Sequence, residues 1–600
     1  MIRRGLLVSL LFGSMCGAQV TLHPGDNVPK IVASKPAGTT FIFSPGLYRL
    51  SQPIMAKDND KFVGESSCAP PANSCPAILT GSVEVGSLAK PDGSNFAVPR
   101  QNQQGGRGGH VCDPEWDGCK YPEDLFIDEV PLRHLDSPTM PNIGSGEWWF
   151  DYANHVIYFH DDPAGHKVET SVVNTAFGGP ANNLTIQYLT VQEFAGMYPV
   201  GAIGIYHGKE ELNQGVNWTI EHCDIKLNHS FGVRANYRIH VLNNYIHDNG
   251  QLGIGGGLAV PSEPEKQAID SGILIMGNTI SHNNYAHFNP GFGAGGIKVG
   301  STSGIVIRGN TIQNNEGSGV HFDEDCKDEL VDGNLITDNS DGDGLVQEIG
   351  GASIFRNNIV ARNGAHLNSN NWAYQIGVRA SSGVHIYCNV IEVPPSTGGV
   401  GAWVIGAAPR GSSHYPPFQY HATAGNSFHH NTVIWDADSN GGAGFHNNDP
   451  QNQPNFFASN TPPDYNEYHM PNPSKPQFLY DNDNSKTNRA KPFSAHQRSH
   501  ADVHSTADNK YNKGFPKVAI TSPADESQVQ NPVTISATAS DEGGIKKVEF
   551  YVDWKLAGTV TNPPYDFNWN DGNAGSHTVA AMAYSNAGIR ACYAVTLNEQ

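Results

Sequence analysis

Charged side chains are scarce in this 600-residue chain, and positive ones are scarcer still. Asp, Glu, Lys and Arg make up 16% of it; 37 Lys and Arg face 58 Asp and Glu, a net charge of −21 at pH 7. A surface so short of basic groups offers no footprint for a nucleic-acid backbone or an anionic membrane. Long apolar runs are missing as well. The run near the N-terminus, Leu6 to Phe12, is too short to cross a bilayer, so no membrane insertion is expected. It follows Arg3 and Arg4 and precedes Gly17 and Ala18, the layout of a secretory signal peptide cleaved after Ala18. Residues 1–18 are therefore read as a signal peptide, and the protein as secreted to the periplasm or beyond. A lipoprotein reading of Cys16 fails because Met15 stands where a small residue is wanted.

Removing Cys16 leaves eight cysteines. Cys68 with Cys75, and Cys112 with Cys119, share a spacing of seven within stretches holding Pro, Asn and Gly. In an exported chain such pairs are expected to close small loops as disulfides. The rival reading, a metal site, lacks a second pair at zinc-ribbon spacing and nearby histidines; no metal and no cofactor are expected. Cys223, Cys326, Cys388 and Cys592 are scattered and read as small buried apolar residues.

What the chain has in quantity is glycine, 66 residues, and a repeat. VLNNYI, IMGNTI, IRGNTI, VDGNLI and FRNNIV place Asn244, Asn278, Asn310, Asn334 and Asn358 before short β-branched or apolar strands, and Asn389 and Asn431 continue the series. The tightest interval is 24 residues, from 310 to 334 and again to 358. A period of roughly 20 to 25 residues built from short strands and turns is the signature of a solenoid. Leucine-rich spacing is absent, which excludes a horseshoe; blade-length repeats are absent, which excludes a propeller. An all-β parallel β-helix is predicted, with coils about 4.8 Å apart. Asn suits its turn by tolerating left-handed backbone and by bonding the Asn one coil away. Longer intervals mark loops, such as Leu258 to Ile269 and Tyr285 to Gly295.

The β-helix is expected over 19–480, with a β insertion at about 120–175 where GEWWFDYANHVIYFHDD alternates like hairpins. Trp148 and Trp149 are read as its core. Residues 481–514 are polar and read as a linker. Residues 515–600 show about seven alternating strands and are read as a small immunoglobulin-like β-sandwich. Trp554 and Trp569 there are read as core.

Side chains alternate in and out of a strand, so the Gly-led strands can be aligned coil by coil. With Val233, Ile297, Val320, Leu345 and Ile376 inside, one outward column reads Arg234, Gly255, Lys298, His321, Val346, Gly377. The other reads Asn236, Gly257, Gly300, Asp323, Glu348, Arg379, and its glycines are expected to leave a groove. Two carboxylates on adjacent coils, about 5 Å apart, suit a retaining glycosidase. Crowding raises one pKa and leaves the other acid ionised. Asp323 is read as the nucleophile and Glu348 as the acid/base, with Asp325 as a third candidate acid. Arg379 is expected to keep Glu348 ionised or to hold substrate. Lys298, His321 and Arg234 are further substrate-binding candidates, and Trp372, Tyr374 and Trp403 are candidates for stacking on sugar rings. A solvated charge ladder or a calcium site would give a similar column.

GEWWFDYANHVIYFHDDPAGHKVETSV, NGQLGIGGG, GVHFDED and GLVQEIGGASIFRNN resemble a bacterial family of secreted right-handed parallel β-helix proteins. TTFIFSPGLYRL resembles the opening coil of pectate-lyase-like members, and the tail is similar to bacterial Ig-like domains. The resemblance spans about Thr39 to Val433 and implies a right-handed solenoid. The family's Trp–x–Asp–x–Asp stretch, followed by His–Glu–Ile–Ser, corresponds here to His321–Phe322–Asp323–Glu324–Asp325 and Gln347–Glu348–Ile349–Gly350. The acids match; the aromatic residue and the His before Glu do not. The pair is also similar to that of β-helical β-xylosidase-type glycoside hydrolases, whereas polygalacturonase and mannuronan-epimerase motifs are missing. The expected function is a secreted glycoside hydrolase acting, as a monomer, on a polysaccharide or oligosaccharide. The alternatives are a polysaccharide lyase, for which calcium would be a cofactor, and a non-catalytic glycan-binding adhesin with the Ig-like domain as spacer.

Overall fold

The computed structural model describes residues 18–600 except 87–89, 91–92, 104–105, 107–110, 205–214, 258–269, 366–372, 396–399, 413–418, 438–440, 482–489, 500, 510–513 and 571–572. The signal sequence expected at 1–18 falls, but for Ala18, outside the described residues, as does the expected loop 258–269. Among the described residues no helix is long and apolar enough to cross a membrane.

Each coil gives one short strand to each of three long parallel sheets. The first holds 12 strands from Gln19–Leu22 to Ser427–His429. The second holds 12, from Ile54–Met55 to Phe478–Asp481, and the third 13, from Gly46–Arg49 to Thr506–Asp508. Alternation sends one side chain per short strand inward. Ile275, Ile307, Val331, Phe355 and Ile386 stack in the first sheet, and Ile280, Ile312, Ile336, Val360 and Ile391 in the third, all fully buried. Each such burial is worth about 2 kcal/mol, and repetition supplies what a thin core cannot. The helix Val28–Ser34, capped by Asn27 with Pro29 in its first turn, buries Val28 and Val32 over the first coil.

The repeating Asn forms a buried ladder, but a different residue takes the left-handed turn. The Asn244 amide donates to Asn278 at 3.0 Å, and the pattern continues through Asn310, Asn334, Asn358, Asn389 and Asn431 to Asn466. The positive φ falls one residue earlier, at Asn243, Gly277, Gly309, Gly333 and Asn357. A residue in that conformation turns the chain; the ladder Asn satisfies backbone carbonyls inside the bend, as Asn334 does for Ile307 at 2.9 Å.

Several boundaries differ from those read in the sequence. The β insertion starts by Ser82: two four-stranded sheets combine Ser82–Glu84 and Phe96–Pro99 with strands from Leu125 to Ser171. The short early strands carry too little periodicity to stand out. Trp148 and Trp149 are buried there as expected. The stretch read as a linker closes the solenoid instead. Phe493–Gln497 is a helix that buries Phe493 and His496, and Thr506–Asp508 pairs with Glu467–His469. Its polar residues serve the end coil: buried Asp502 accepts from His496, Asn466 and Tyr468.

Cys68–Cys75 and Cys112–Cys119 are bonded as expected. Cys388 and Cys592 are a third disulfide, not isolated apolar residues, because folding brings the solenoid wall against the sandwich across 204 positions. Cys223 and Cys326 are free and buried. The C-terminal sandwich packs a three-stranded sheet on a five-stranded one, with Trp569 in its core. Trp554 instead meets Tyr387, His429 and His430 of the solenoid.

Candidate active site

The second sheet carries the columns in the expected register. Ile297, Val320, Leu345 and Ile376 pair in succession and are fully buried. Outward, Arg234 pairs with Gly255, Gly255 with Lys298, Lys298 with His321, His321 with Val346, and Val346 with Gly377. Gly300 pairs with Asp323, and Glu348 with Arg379. His321, Asp323 and Glu348 each offer a ligand atom within 4.8 Å of the others. Asp325 follows in the turn, where its φ is 61° and its N–H donates to Ile349 O at 2.7 Å.

Each acid has a cationic or imidazole partner. Lys298 Nζ lies 3.0 Å from Asp323 Oδ2, and His321 Nε2 lies 3.4 Å from Glu348 Oε2. Arg410 ion-pairs with the other Glu348 oxygen, and His421 Nε2 stands 3.0 Å from Asp325. Burial raises the Asp323 carboxyl, but the groups packed on it hold it below the ordinary carboxylate range; with His321 neutral, the charges that act on it at pH 7 are Lys298 and Arg410. Burial first, then the Lys298 charge, depresses His321 to about 3, so its imidazole is neutral at pH 7. Its Nε2 makes no hydrogen bond.

Arg379 does not serve Glu348. Its guanidinium forks onto Asp343, with both bonds 2.8 Å long, and Asp343 also accepts from Tyr374 N–H. A planar fork matches one carboxylate bidentately, so Asp343 takes Arg379 and Glu348 is left to Arg410. Arg410, His421 and Asp343 were not singled out in the sequence. They reach the site from turns of irregular length, where no period points to them; an acid five positions before Glu348 is the one available signal.

Of the column glycines, Gly300 leaves room, since a Cβ there would meet only Asp323 O at 3.5 Å, but Gly255 and Gly257 do not extend it into the expected groove. A Cβ on Gly255 would strike the Phe231 ring at 2.4 Å, and one on Gly257 would meet Gly300 O at 2.1 Å from a φ of 134°. The cavity lies on the other flank. A pocket of about 460 Å³ is lined by His321, Glu348, Arg379 and Asp343, with Pro290 and Gly291 on one wall and Val404 and the stretch Gly406 to Arg410 on another. Arg234 is buried, 4% exposed, and donates to Pro199 O, which leaves it poorly placed for a ligand. Trp403 points inward and stacks on Phe428, because it continues the Ile376 core row. Tyr374 is half-buried at the start of its strand, and Trp372 lies outside the described residues. The spacing of His321, Asp323 and Glu348 would admit a cation, but Lys298 and Arg410 already balance both carboxylates. A calcium ion wants about six to eight oxygens. These residues do not fit one.

Residues 211–391 match the family model of the right-handed β-helix region, and 516–581 match that of the bacterial Ig domain. No curated protein matches the chain. Solved structures similar to it include the complex of XylC with xylose, 15% identical over 95% of this chain and 96% of that one, with a TM-score of 0.59. A glycoside hydrolase is 12% identical over 72% and 97%, TM-score 0.42. The A-module of the Azotobacter vinelandii mannuronan C-5 epimerase AlgE4 is 14% identical over 74% and 88%, TM-score 0.35. At such identities the likeness is one of fold. Family models, sheets and register together make this chain a right-handed parallel β-helix protein with a bacterial Ig domain at its C-terminal end.

Proposed function

We propose that this protein is a carbohydrate-active enzyme, a glycoside hydrolase that works on glycosidic bonds with Asp323 and Glu348. The observation that carries the reading is the carboxylate pair on consecutive coils, with oxygens within 4.8 Å of each other, beside a pocket of about 460 Å³. That separation belongs to the retaining geometry; an inverting pair stands roughly 6.5 to 9.5 Å apart to admit a water. Asp323, held ionised by its neighbours, attacks the anomeric carbon. Glu348, at the pocket wall, gives a proton to the departing glycosidic oxygen once its Arg410 ion pair has opened to admit substrate, and then draws a proton from the water that frees the sugar. Three disulfides suit work outside the cytosol.

Asp323→Asn and Glu348→Gln should each cut hydrolysis by at least about 1,000-fold. Sugar release from a panel of neutral and acidic polysaccharides checks this, and full activity in either variant would remove the assignment. NMR of the first product should show the anomeric configuration retained.

One observation favours a second reading. A His321 Nε2 in the site that makes no hydrogen bond is free to take a proton in a polysaccharide lyase. Products absorbing in the ultraviolet as unsaturated uronides would select it.

A further inference from the structure

Phe292 is an exposed ring next in sequence to two residues of the pocket wall. Among the described residues it is the one phenylalanine left largely exposed, at 58%. The two residues before it, Pro290 and Gly291, line the pocket together with Glu348. Its own carbonyl accepts from Lys298 Nζ at 3.3 Å, and Lys298 reaches Asp323 at 3.0 Å. The ring is therefore borne on a segment one side chain away from the acids.

That segment is built to keep still. The Asn289 side chain accepts from Gly291 N–H at 2.9 Å, and Phe292 N–H donates to Asn289 O at 3.0 Å. Asn289 N–H bonds Val111 O, Phe288 pairs with Cys112, and Cys112 is tied to Cys119. A disulfide loop of the β insertion thus braces the turn that presents the ring. An aromatic face held out in water on a fixed backbone costs little ordering when a ligand stacks on it.

A pocket of this size suits a ligand of drug-like dimensions, for which about 300 to 1,000 Å³ is usual. One or two sugar rings fill it, and the rest of a longer chain must cross the rim. We propose that Phe292 is a stacking platform for the first pyranose ring outside the pocket. It would thereby set a preference for oligosaccharides over single sugars. This rests on the glycosidase reading and adds to it a subsite beyond the bond that is cut.

The test is binding to the full-length protein by calorimetry. The probes are β-1,4-linked xylose and glucose series and an α-1,4-linked galacturonic acid series, each of one, two and three residues. In the series that binds, affinity should rise by about tenfold from one residue to three, a gain of the order expected for one stacked ring. Phe292→Ala should abolish that rise while leaving the monosaccharide affinity unchanged, and Phe292→Trp should keep it. Being exposed, the residue can be changed without loss of fold, which circular dichroism verifies. An undiminished rise in Phe292→Ala overturns the platform, as does an equal loss for the monosaccharide or a change of oligomeric state in that variant. If hydrolysis persists under those outcomes, the glycosidase reading survives alone. If no series binds or is cut, both fall.

Discussion

Asp323 is buried enough that desolvation alone would lift its carboxyl, yet the groups packed on it bring the net shift below the ordinary range. Lys298 is the permanent cation among those groups that touches it, at 3.0 Å. Replacing Lys298 with Met removes that charge and keeps the aliphatic bulk. The Asp323 pKa must then rise, and because the nucleophile proposed here works only ionised, the acid limb of kcat/KM should move to higher pH. A shift of about one unit is expected for loss of one close charge. A pH–rate profile in which the acid limb stays fixed would show that Asp323 is not the ionising group. His321, neutral down to about pH 3, cannot supply the missing charge near neutral pH.

The ladder residues show what a single coil contributes. Asn334 donates to Ile307 O and to Asn358, and accepts from both the N–H and the amide of Asn310. Asn334→Ala strands several of these buried groups, at about 1 to 3 kcal/mol each. A loss of at least about 3 kcal/mol in denaturant unfolding is expected, without change in KM. The same element explains what the sequence disclosed and what it concealed. Strand register was legible because buried aliphatics alternate with glycine and charged residues, and one misaligned residue would reverse both faces. A second ladder, Asn249, Asn283, Asn315, Asn339 and Asn363, runs five positions behind the first. It was open to the same reasoning but hidden by the more regular Asn before each strand. Arg410 and His421 were illegible for another reason. They act across turns, and turn length follows no rule that a strand pattern imposes.

At the scale of the molecule, the Ig domain is docked on the solenoid. Besides the Cys388–Cys592 bond, Asp525 accepts from Arg308 and from Arg356, a nearly inaccessible guanidinium. The Asn357 side-chain amide donates to Ala594 O and accepts from Ala594 N–H. Around Trp554, burial lowers His429 to about 4 and His430 to about 2. Both rings are neutral when folded and take up protons readily once exposed. Stability from them is complete above the unfolded value near 6.5 and declines as pH falls below it. Acidification from pH 7 to 4.5 should therefore weaken the docked state, seen as a change in tryptophan emission and faster proteolysis between the domains. His430→Gln should blunt the decline, and an unaltered pH response would exclude His430 as its source. The pocket, by contrast, answers to the loops. Asp323 to Glu348 spans 25 positions and Glu348 to Arg379 spans 31, yet each pair is one coil step apart. The unequal intervals leave the one-coil step unchanged. On the proposed reading, loop grafts between the coils would re-tailor which sugars enter while Asp323 and Glu348 keep their places, making this scaffold a frame for specificity engineering.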